Sequence, residues 1–129
     1  MQIHSSAEDY LEAILMIQLE KGQVRSIDVA HKLNYSKPSV SRAVNLLREN
    51  GYLQMARDGM LELTEAGRRI AETIYERHIL LTKWLISLGV PEQLAAVDAC
   101  KLEHDVSGTT FEKLKAHILH EHLAPEEAV

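Results

Sequence analysis

The sequence has little of several residue types, and each shortage excludes a class of protein. Its 129 residues include one cysteine, so no disulfide can form within the chain, and we expect a reducing, cytoplasmic location. No stretch approaches the ~20 consecutive apolar residues of a membrane-spanning helix, and the first residues lack a signal-peptide pattern. We therefore expect one or two small domains and no membrane partner.

Basic residues are also in deficit, but unevenly along the chain. The formal net charge is −5, which by itself argues against nucleic-acid binding. Between residues 30 and 57, however, five basic residues accompany a single acid, Glu49. A phosphate backbone responds to local charge, so this segment is a candidate contact for nucleic acid. The five basic residues are Lys32, Lys37, Arg42, Arg48 and Arg57.

The same segment has the pattern of a winged helix-turn-helix. A short helix over 27–33, with Ser26 as its cap, precedes a second helix capped by Ser36. Asp58 and Gly59 then separate two strand-like runs, which predicts a hairpin directly after the second helix. This order favours a DNA-binding domain with a wing. A small protein-interaction module of helices and a hairpin is the alternative.

A predicted helix with two acidic residues precedes this segment, and a long predicted helix that begins after residue 64 follows it. Asp9 and Glu12 share one helical face, although first-turn acids also occur simply because the helix dipole favours them. Thr64 is predicted to cap a helix over 65–88, ~36 Å long, which exceeds what a winged helix needs. We expect its apolar residues to contribute to a dimer core. His78 lies within it.

A helix over 91–105 carries the residues that favour metal binding. Its spacing places Cys100, Glu103 and His104 on one face. A thiolate, a carboxylate and an imidazole are a plausible half-site for a divalent transition metal. The alternative is a small buried cysteine beside an ordinary surface Glu-His pair. A last helix over 110–122, capped by Thr109, completes the chain.

In this order, the elements and their motifs resemble the diphtheria toxin repressor family of metal-dependent transcriptional regulators, which includes the manganese transport regulators. The resemblance extends through about His122. It implies a mainly α fold: a winged helix-turn-helix DNA-binding domain over 1–63, then an α-helical metal-binding and dimerisation domain over 64–129. Some members carry an SH3-like third domain, which we do not expect here.

The resemblance also implies the metal ligands, one position at a time. Cys100 matches the iron branch, where the manganese branch has Glu, whereas Asp9 matches the manganese branch, where the iron branch has Met. Thr82 and Ala96 replace the Glu and His of the iron branch's ancillary site, so we expect that site to be missing. The implied ligands are Asp9, Glu12, His78, Cys100, Glu103 and His104.

The expected metal is Fe²⁺ or Mn²⁺, and Co²⁺ or Zn²⁺ could substitute in vitro; the thiolate favours Fe²⁺ over Mn²⁺. For DNA, the resemblance implies base contacts at the start of the second helix of the motif, and the basic residues nearby are phosphate candidates. The candidates for bases are Ser36, Pro38, Ser39 and Arg42. The candidates for phosphates are Lys37, Arg48 and Arg57.

These residues together predict a homodimeric repressor that binds a double-stranded DNA operator when metal is present and controls metal-uptake genes. One alternative is a winged-helix repressor that responds to a small ligand or to oxidation of Cys100. A metalloenzyme is disfavoured because no additional acid-base or nucleophile set is visible, so we predict that the chain is not an enzyme.

Overall fold

The computed structural model describes residues 5–120, and this part of the chain folds into six helices and one two-stranded sheet. The chain divides into two compact units, Met1–Thr73 and Ile74–Val129, called here the first and second units. The elements are α1 (Ser5–Lys21), α2 (Ser26–Leu33), α3 (Lys37–Glu49), β1 (Leu53–Met55), β2 (Leu61–Leu63), α4 (Glu65–Ser87), α5 (Glu92–Asp105) and α6 (Gly108–Ile118).

The first unit is a winged helix-turn-helix, as predicted. Helix α1 packs against α2, α3 and β2, and α3 also contacts β1. Apolar side chains recur on the inner face of each helix, and their burial supplies the main stabilisation of this unit. Examples that are almost completely buried are Leu11, Ile14, Val29, Val40 and Val44, and Val24, just before α2, is buried as well.

The wing is a short antiparallel hairpin, with Leu53 opposite Leu63 in the register. Gly59, in its turn, has a φ of +86°, which favours glycine over other residues. The strands are short, at three residues each. The segment before α2 pairs with β2: the N–H of Leu61 donates to the carbonyl of Val24 at 2.8 Å. The wing is therefore anchored to the start of the helix-turn-helix.

Two of the predicted helix caps are confirmed. The hydroxyl of Ser36 accepts the backbone N–H of Ser39 at 3.2 Å, at the start of α3. The hydroxyl of Thr64 accepts the N–H of Gly67 at 3.1 Å, at the start of α4. Both bonds satisfy N–H groups that have no partner within the helix.

Two other predicted caps are wrong. Helix α2 begins at Ser26 itself, and the N–H of Arg25 is bound by the carboxylate of Asp28 at 2.9 Å. Helix α6 begins before Thr109, and the capping hydroxyl belongs to Ser107. In each case the helix begins earlier than predicted, so the predicted cap lies inside the first turn.

Glycine at position 67 allows a close approach between the wing and α4. A Cβ atom built there would lie 2.1 Å from the backbone oxygen of Tyr52, far inside van der Waals contact. The hydroxyl of Thr64 also donates to the backbone oxygen of Gly51 at 2.6 Å. The start of α4 is thus held directly against the residues that lead into β1.

The second unit is entirely helical within the described residues. Its core is formed by apolar side chains of α4, α5 and α6, with a ring of partly buried residues around them. The buried members are Leu80, Leu81, Ala99, Phe111 and Ile118, and the surrounding ones are Trp84, Leu85, Leu114 and Leu119. Among residues 5–120, none of the helices has the length and apolar character required to cross a membrane.

Candidate metal centre and nucleic-acid interface

The carboxylate of Glu103 is the most unusual group in the second unit, because it is fully buried between two imidazoles. Its Oε2 lies 3.4 Å from Nδ1 of His78 on α4, and its Oε1 lies 3.5 Å from Nε2 of His104. The side chain of Glu103 is 0% exposed. The carboxylate therefore lies between the two imidazole rings, and one of its oxygens faces each ring.

Hydrogen bonds do not account for this arrangement. Within residues 5–120, neither carboxylate oxygen of Glu103 has a hydrogen-bond partner, and the same holds for Nδ1 of His78. A buried carboxylate is costly unless it is paired or coordinates a metal. Carboxylate oxygens and neutral imidazole nitrogens are ordinary ligands of divalent transition metals. The donor set of the second unit therefore fits such an ion.

Cys100 adds a sulfur donor beside His104. The two residues are four apart on α5, which places them one turn apart on the same side of the helix. The Sγ of Cys100 and a ring nitrogen of His104 lie within 4.8 Å of each other. The thiol is free and exposed. Cys100 and His104 are thus close together on α5, while Glu103 lies against His78 and His104.

Helix α1 provides a separate pair of oxygen donors in the first unit. One carboxylate oxygen of Asp9 and one of Glu12 lie within 4.8 Å of each other. Glu12 is only 5% exposed, although it stands in a helix whose other buried residues are apolar. A buried carboxylate in such a helix suggests a function beyond packing, since buried charges are usually paired or coordinate metals.

The start of α3 presents polar and basic residues to solvent. The hydroxyl of Ser36 donates to the hydroxyl of Ser39 at 2.8 Å and also accepts the N–H of that residue. Lys37, Pro38 and Arg42 are exposed. Both serine hydroxyls are therefore engaged in the cap, and exposed contact groups follow them.

Arg57 and Arg48 are exposed as well, in the wing and near the end of α3.

The wing turn is held by a residue that the sequence analysis missed. The guanidinium of Arg25 donates to the backbone oxygen of Asp58, 33 residues away. No local pattern reveals a contact over that separation, so the sequence carried no signal for it.

A second missed residue is Arg77, which precedes His78 on α4. Its guanidinium donates to the backbone oxygens of Glu103 and Val106, at 3.1 and 3.3 Å. The sequence analysis did not single out this arginine. Its contact with the end of α5 depends on the packing of two helices.

Comparison with protein families identifies the chain. A model described as the iron-dependent repressor N-terminal DNA-binding domain matches residues 2–61. A second model, the iron-dependent repressor metal-binding and dimerisation domain, matches residues 64–128. The chain belongs to the iron-dependent repressor family. Its members are transcriptional regulators and not enzymes, so the predicted family, fold class and regulatory function are confirmed.

Individual relatives of this repressor agree with that assignment. The transcriptional regulator MntR of Salmonella typhimurium (strain LT2) is 34% identical over 109 residues, which cover 84% of this chain and 69% of that protein. The HTH-type transcriptional regulator MntR of Bacillus subtilis (strain 168) is 34% identical over 109 residues, covering 84% and 77%.

A solved structure, a manganese-dependent transcriptional repressor in complex with manganese, is also similar. It superposes with a TM-score of 0.79 at 30% identity and covers 87% of this chain. The match covers 52% of that protein, so the repressor described here spans about half the length of the solved structure.

Proposed function

We propose that this chain is a homodimeric DNA-binding repressor that a divalent metal ion activates. The DNA-binding domain comprises residues 1–63, and the metal-sensing and dimerisation domain comprises residues 64–129. The observation that carries the proposal is the buried carboxylate of Glu103, which lies between His78 and His104 without a hydrogen-bond partner among the described residues. Membership in the iron-dependent repressor family supports it.

The proposed ligands come from both units. The second unit supplies two imidazoles, a carboxylate and a thiolate, and α1 supplies two carboxylates. The bound ion supplies the positive charge that offsets this accumulation of acidic groups. The ligands are Asp9, Glu12, His78, Cys100, Glu103 and His104.

Without a cation, the acidic ligands repel one another, and this repulsion opposes any arrangement that brings them together. Divalent metal held by these residues would offset the repulsion and would link α1 to α5. The DNA-binding domain would then lose less conformational freedom on binding DNA. Such coupling between a metal site and a DNA site is typically worth ~1–3 kcal/mol.

The ligand atoms point to Fe²⁺ or Mn²⁺ as the activating ion. The carboxylates of Asp9, Glu12 and Glu103 suit Mn²⁺, whereas the thiolate of Cys100 is softer and favours Fe²⁺, with Co²⁺ and Zn²⁺ as substitutes in vitro. A protein with these preferences is suited to repress genes for metal uptake, acting in the cytoplasm where the DNA is.

In the DNA complex that we propose, α3 enters the major groove. Arg42 is long enough to bind a guanine through two hydrogen bonds, and Pro38 offers an apolar contact to a thymine methyl group. Ser36 and Ser39 complete the set of base contacts, through the hydroxyl proton of Ser39 and the oxygen lone pairs that the cap leaves free. Phosphate contacts, which position the protein without specifying sequence, are assigned to Lys37, Arg48 and Arg57.

The homodimer would use the exposed apolar side chains of the second unit. Contiguous exposed apolar residues commonly mark protein interfaces. A twofold dimer binds two half-sites when its two recognition helices are ~34 Å apart, or a multiple of that spacing. The exposed apolar residues of α4, α5 and their connection are Ile79, Ile86, Leu88, Leu94, Val97 and Leu102.

Anaerobic fluorescence anisotropy on an operator fragment, selected from random DNA, tests the proposal. Binding is measured with a chelator and then with Mn²⁺, Fe²⁺, Co²⁺ or Zn²⁺. We expect Fe²⁺ or Mn²⁺ to tighten binding by roughly 5–150-fold. Glu103→Gln should abolish this response, whereas Glu92→Gln, at the exposed start of the same helix, should retain it.

Equal affinity with the chelator and with every metal would contradict metal activation. If DNA binding instead changed only when Cys100 was oxidised, the chain would be a redox-responsive repressor. Analytical ultracentrifugation of the same samples measures the oligomeric state, and a monomer on DNA would contradict the dimer.

A further inference from the structure

Arg77 contacts the end of α5 at the residues that carry the candidate ligands. Its Nη1 donates to the backbone oxygen of Glu103 at 3.1 Å and to that of Val106 at 3.3 Å. The last carbonyl groups of a helix have no partner within the helix, and an arginine near the helix end can satisfy them. Arg77 therefore closes the carboxyl end of α5 from a neighbouring helix.

The same guanidinium also contacts α6. Its Cζ lies 4.9 Å from the ring centroid of Phe111, a buried residue, in a cation–π arrangement. One side chain of α4 thus joins the end of α5 to the core of α6. The guanidinium is held by the Phe111 ring and by two backbone oxygens, which restricts where the backbone of Glu103 can lie.

Two adjacent residues of α4 therefore contact the two parts of one residue of α5. Arg77 binds the backbone of Glu103, and His78 lies against its carboxylate, 3.4 Å away. His104 follows Glu103 directly, so the position of its ring depends on the same turn of α5. Any shift of this turn relative to α4 would move Glu103 away from His78 and would displace His104 with it.

We propose that Arg77 is a positioning residue for the metal site, which fixes the end of α5 so that Glu103 and His104 meet His78 in a ligand geometry. The inference rests on the proposed metal binding. Groups that orient metal ligands without touching the metal typically contribute about 10–100-fold to metal affinity. Arg77 acts on the backbone of a ligand, whereas most such groups act on the ligand side chain.

Arg77→Lys and Arg77→Gln test this role in the full chain. Lysine keeps the charge but has one compact ammonium group, which cannot reproduce the planar fork of the guanidinium. Co²⁺ binding is titrated by absorption spectroscopy, and unfolding of the metal-free protein is followed in urea. We expect Co²⁺ affinity to fall by roughly 10–100-fold in both variants, with a changed Co²⁺ spectrum.

Two further variants separate positioning from general stability. Arg69→Gln removes an arginine from the exposed part of α4, where it pairs with Glu65, and should leave Co²⁺ binding unchanged. Phe111→Leu removes the ring beneath the guanidinium but leaves both hydrogen bonds to α5 possible. Its effect on the free energy of unfolding, measured in urea, should be larger than its effect on the free energy of Co²⁺ binding.

The outcomes separate the inference from the proposed function. Wild-type Co²⁺ affinity and spectrum in Arg77→Lys and Arg77→Gln would overturn the inference and leave metal binding intact. A loss of affinity that followed stability in all variants, Phe111→Leu included, would also overturn it. If the unmodified chain bound no divalent metal, the proposed function itself would fail.

Discussion

The ring of Tyr10 in α1 packs against the ring of Tyr35, with their centroids 5.7 Å apart and their planes inclined at 59°. Tilted aromatic pairs of this kind are favourable. Tyr10 directly follows the candidate ligand Asp9, and Tyr35 directly precedes Ser36, the cap of α3. Within the first unit, the pair therefore connects the helix that bears two candidate ligands to the start of the candidate recognition helix.

Loss of this ring pair should weaken the link between metal and DNA. We expect Tyr35→Leu to reduce the metal-dependent gain in DNA affinity by ~0.5–1 kcal/mol, because α1 would constrain the start of α3 less firmly. Metal affinity itself should stay unchanged. DNA affinity is measured with and without metal, and Tyr35→Phe, which keeps the ring, should behave like the wild type. If Tyr35→Leu kept the wild-type gain in DNA affinity on addition of metal, the ring pair would be a packing contact and nothing more.

The pH dependence of stability should contain a contribution from Asp28. The backbone N–H of Arg25, donated to this carboxylate, holds the pKa of Asp28 below its usual value. Because the folded pKa is the lower one, Asp28 stabilises the fold above the unfolded pKa, and this contribution is lost as the pH falls through the folded pKa. The stability difference between wild type and Asp28→Asn should shrink below about pH 4.

Urea unfolding of both proteins between about pH 2 and pH 7 measures this difference. Asparagine can still accept the Arg25 N–H through its amide oxygen, so the comparison isolates the charge. A difference that stayed constant down to the lowest pH would show that the charge of Asp28 does not stabilise the helix start.

The residue at position 100 should set the metal preference. Cys100→Glu replaces a soft thiolate with a hard carboxylate, and we expect the ratio of Mn²⁺ to Fe²⁺ affinity to rise roughly tenfold. The measurement is competition between each metal and a fluorescent chelator under anaerobic conditions. Cys100→Ser serves as the control, since it removes the thiolate without adding a carboxylate. If neither variant moves the ratio, Cys100 is not a ligand.

Arg57 and Arg42 should differ in how their loss affects DNA binding. Arg57 is assigned to a phosphate, so Arg57→Ala should weaken binding to all operator variants alike. It should also reduce, by ~1, the slope of the logarithm of the binding constant against the logarithm of the salt concentration. Arg42→Ala should relax discrimination at one base pair by ~1–3 kcal/mol. Anisotropy titrations on single-base operator variants, at several salt concentrations, distinguish the two. Arg69→Ala, on α4, should change neither quantity.

The sequence predicted those features that depend on neighbouring residues. Ser36 and Thr64 were identified as caps because each bonds to a backbone group three residues along the chain. The face of Cys100, Glu103 and His104 follows from helical spacing alone. The predicted Ser26 cap failed even at this short range, because the helix already includes Ser26 and its start is fixed by the bond from the Arg25 N–H to the Asp28 carboxylate.

Contacts between residues that are far apart along the chain could not be predicted from the sequence. Nothing near Arg25 indicates that it binds the wing turn at Asp58, and nothing near Arg77 indicates that it binds the end of α5. Such contacts depend on how whole elements pack, which periodicity does not specify. The approach of His78 to Glu103 was reached through the resemblance to a family, and the structure supplies the distance.

Gly67 limits which segments of this repressor can be replaced by the corresponding segments of its relatives. The backbone oxygen of Tyr52 occupies the space that any side chain at position 67 would need. A wing transplanted from a relative would therefore be compatible with α4 only if the donor backbone at that point passed a glycine in the same way. We therefore expect functional chimaeras with relatives only when the entry to the wing and the first turn of α4 are taken from the same parent.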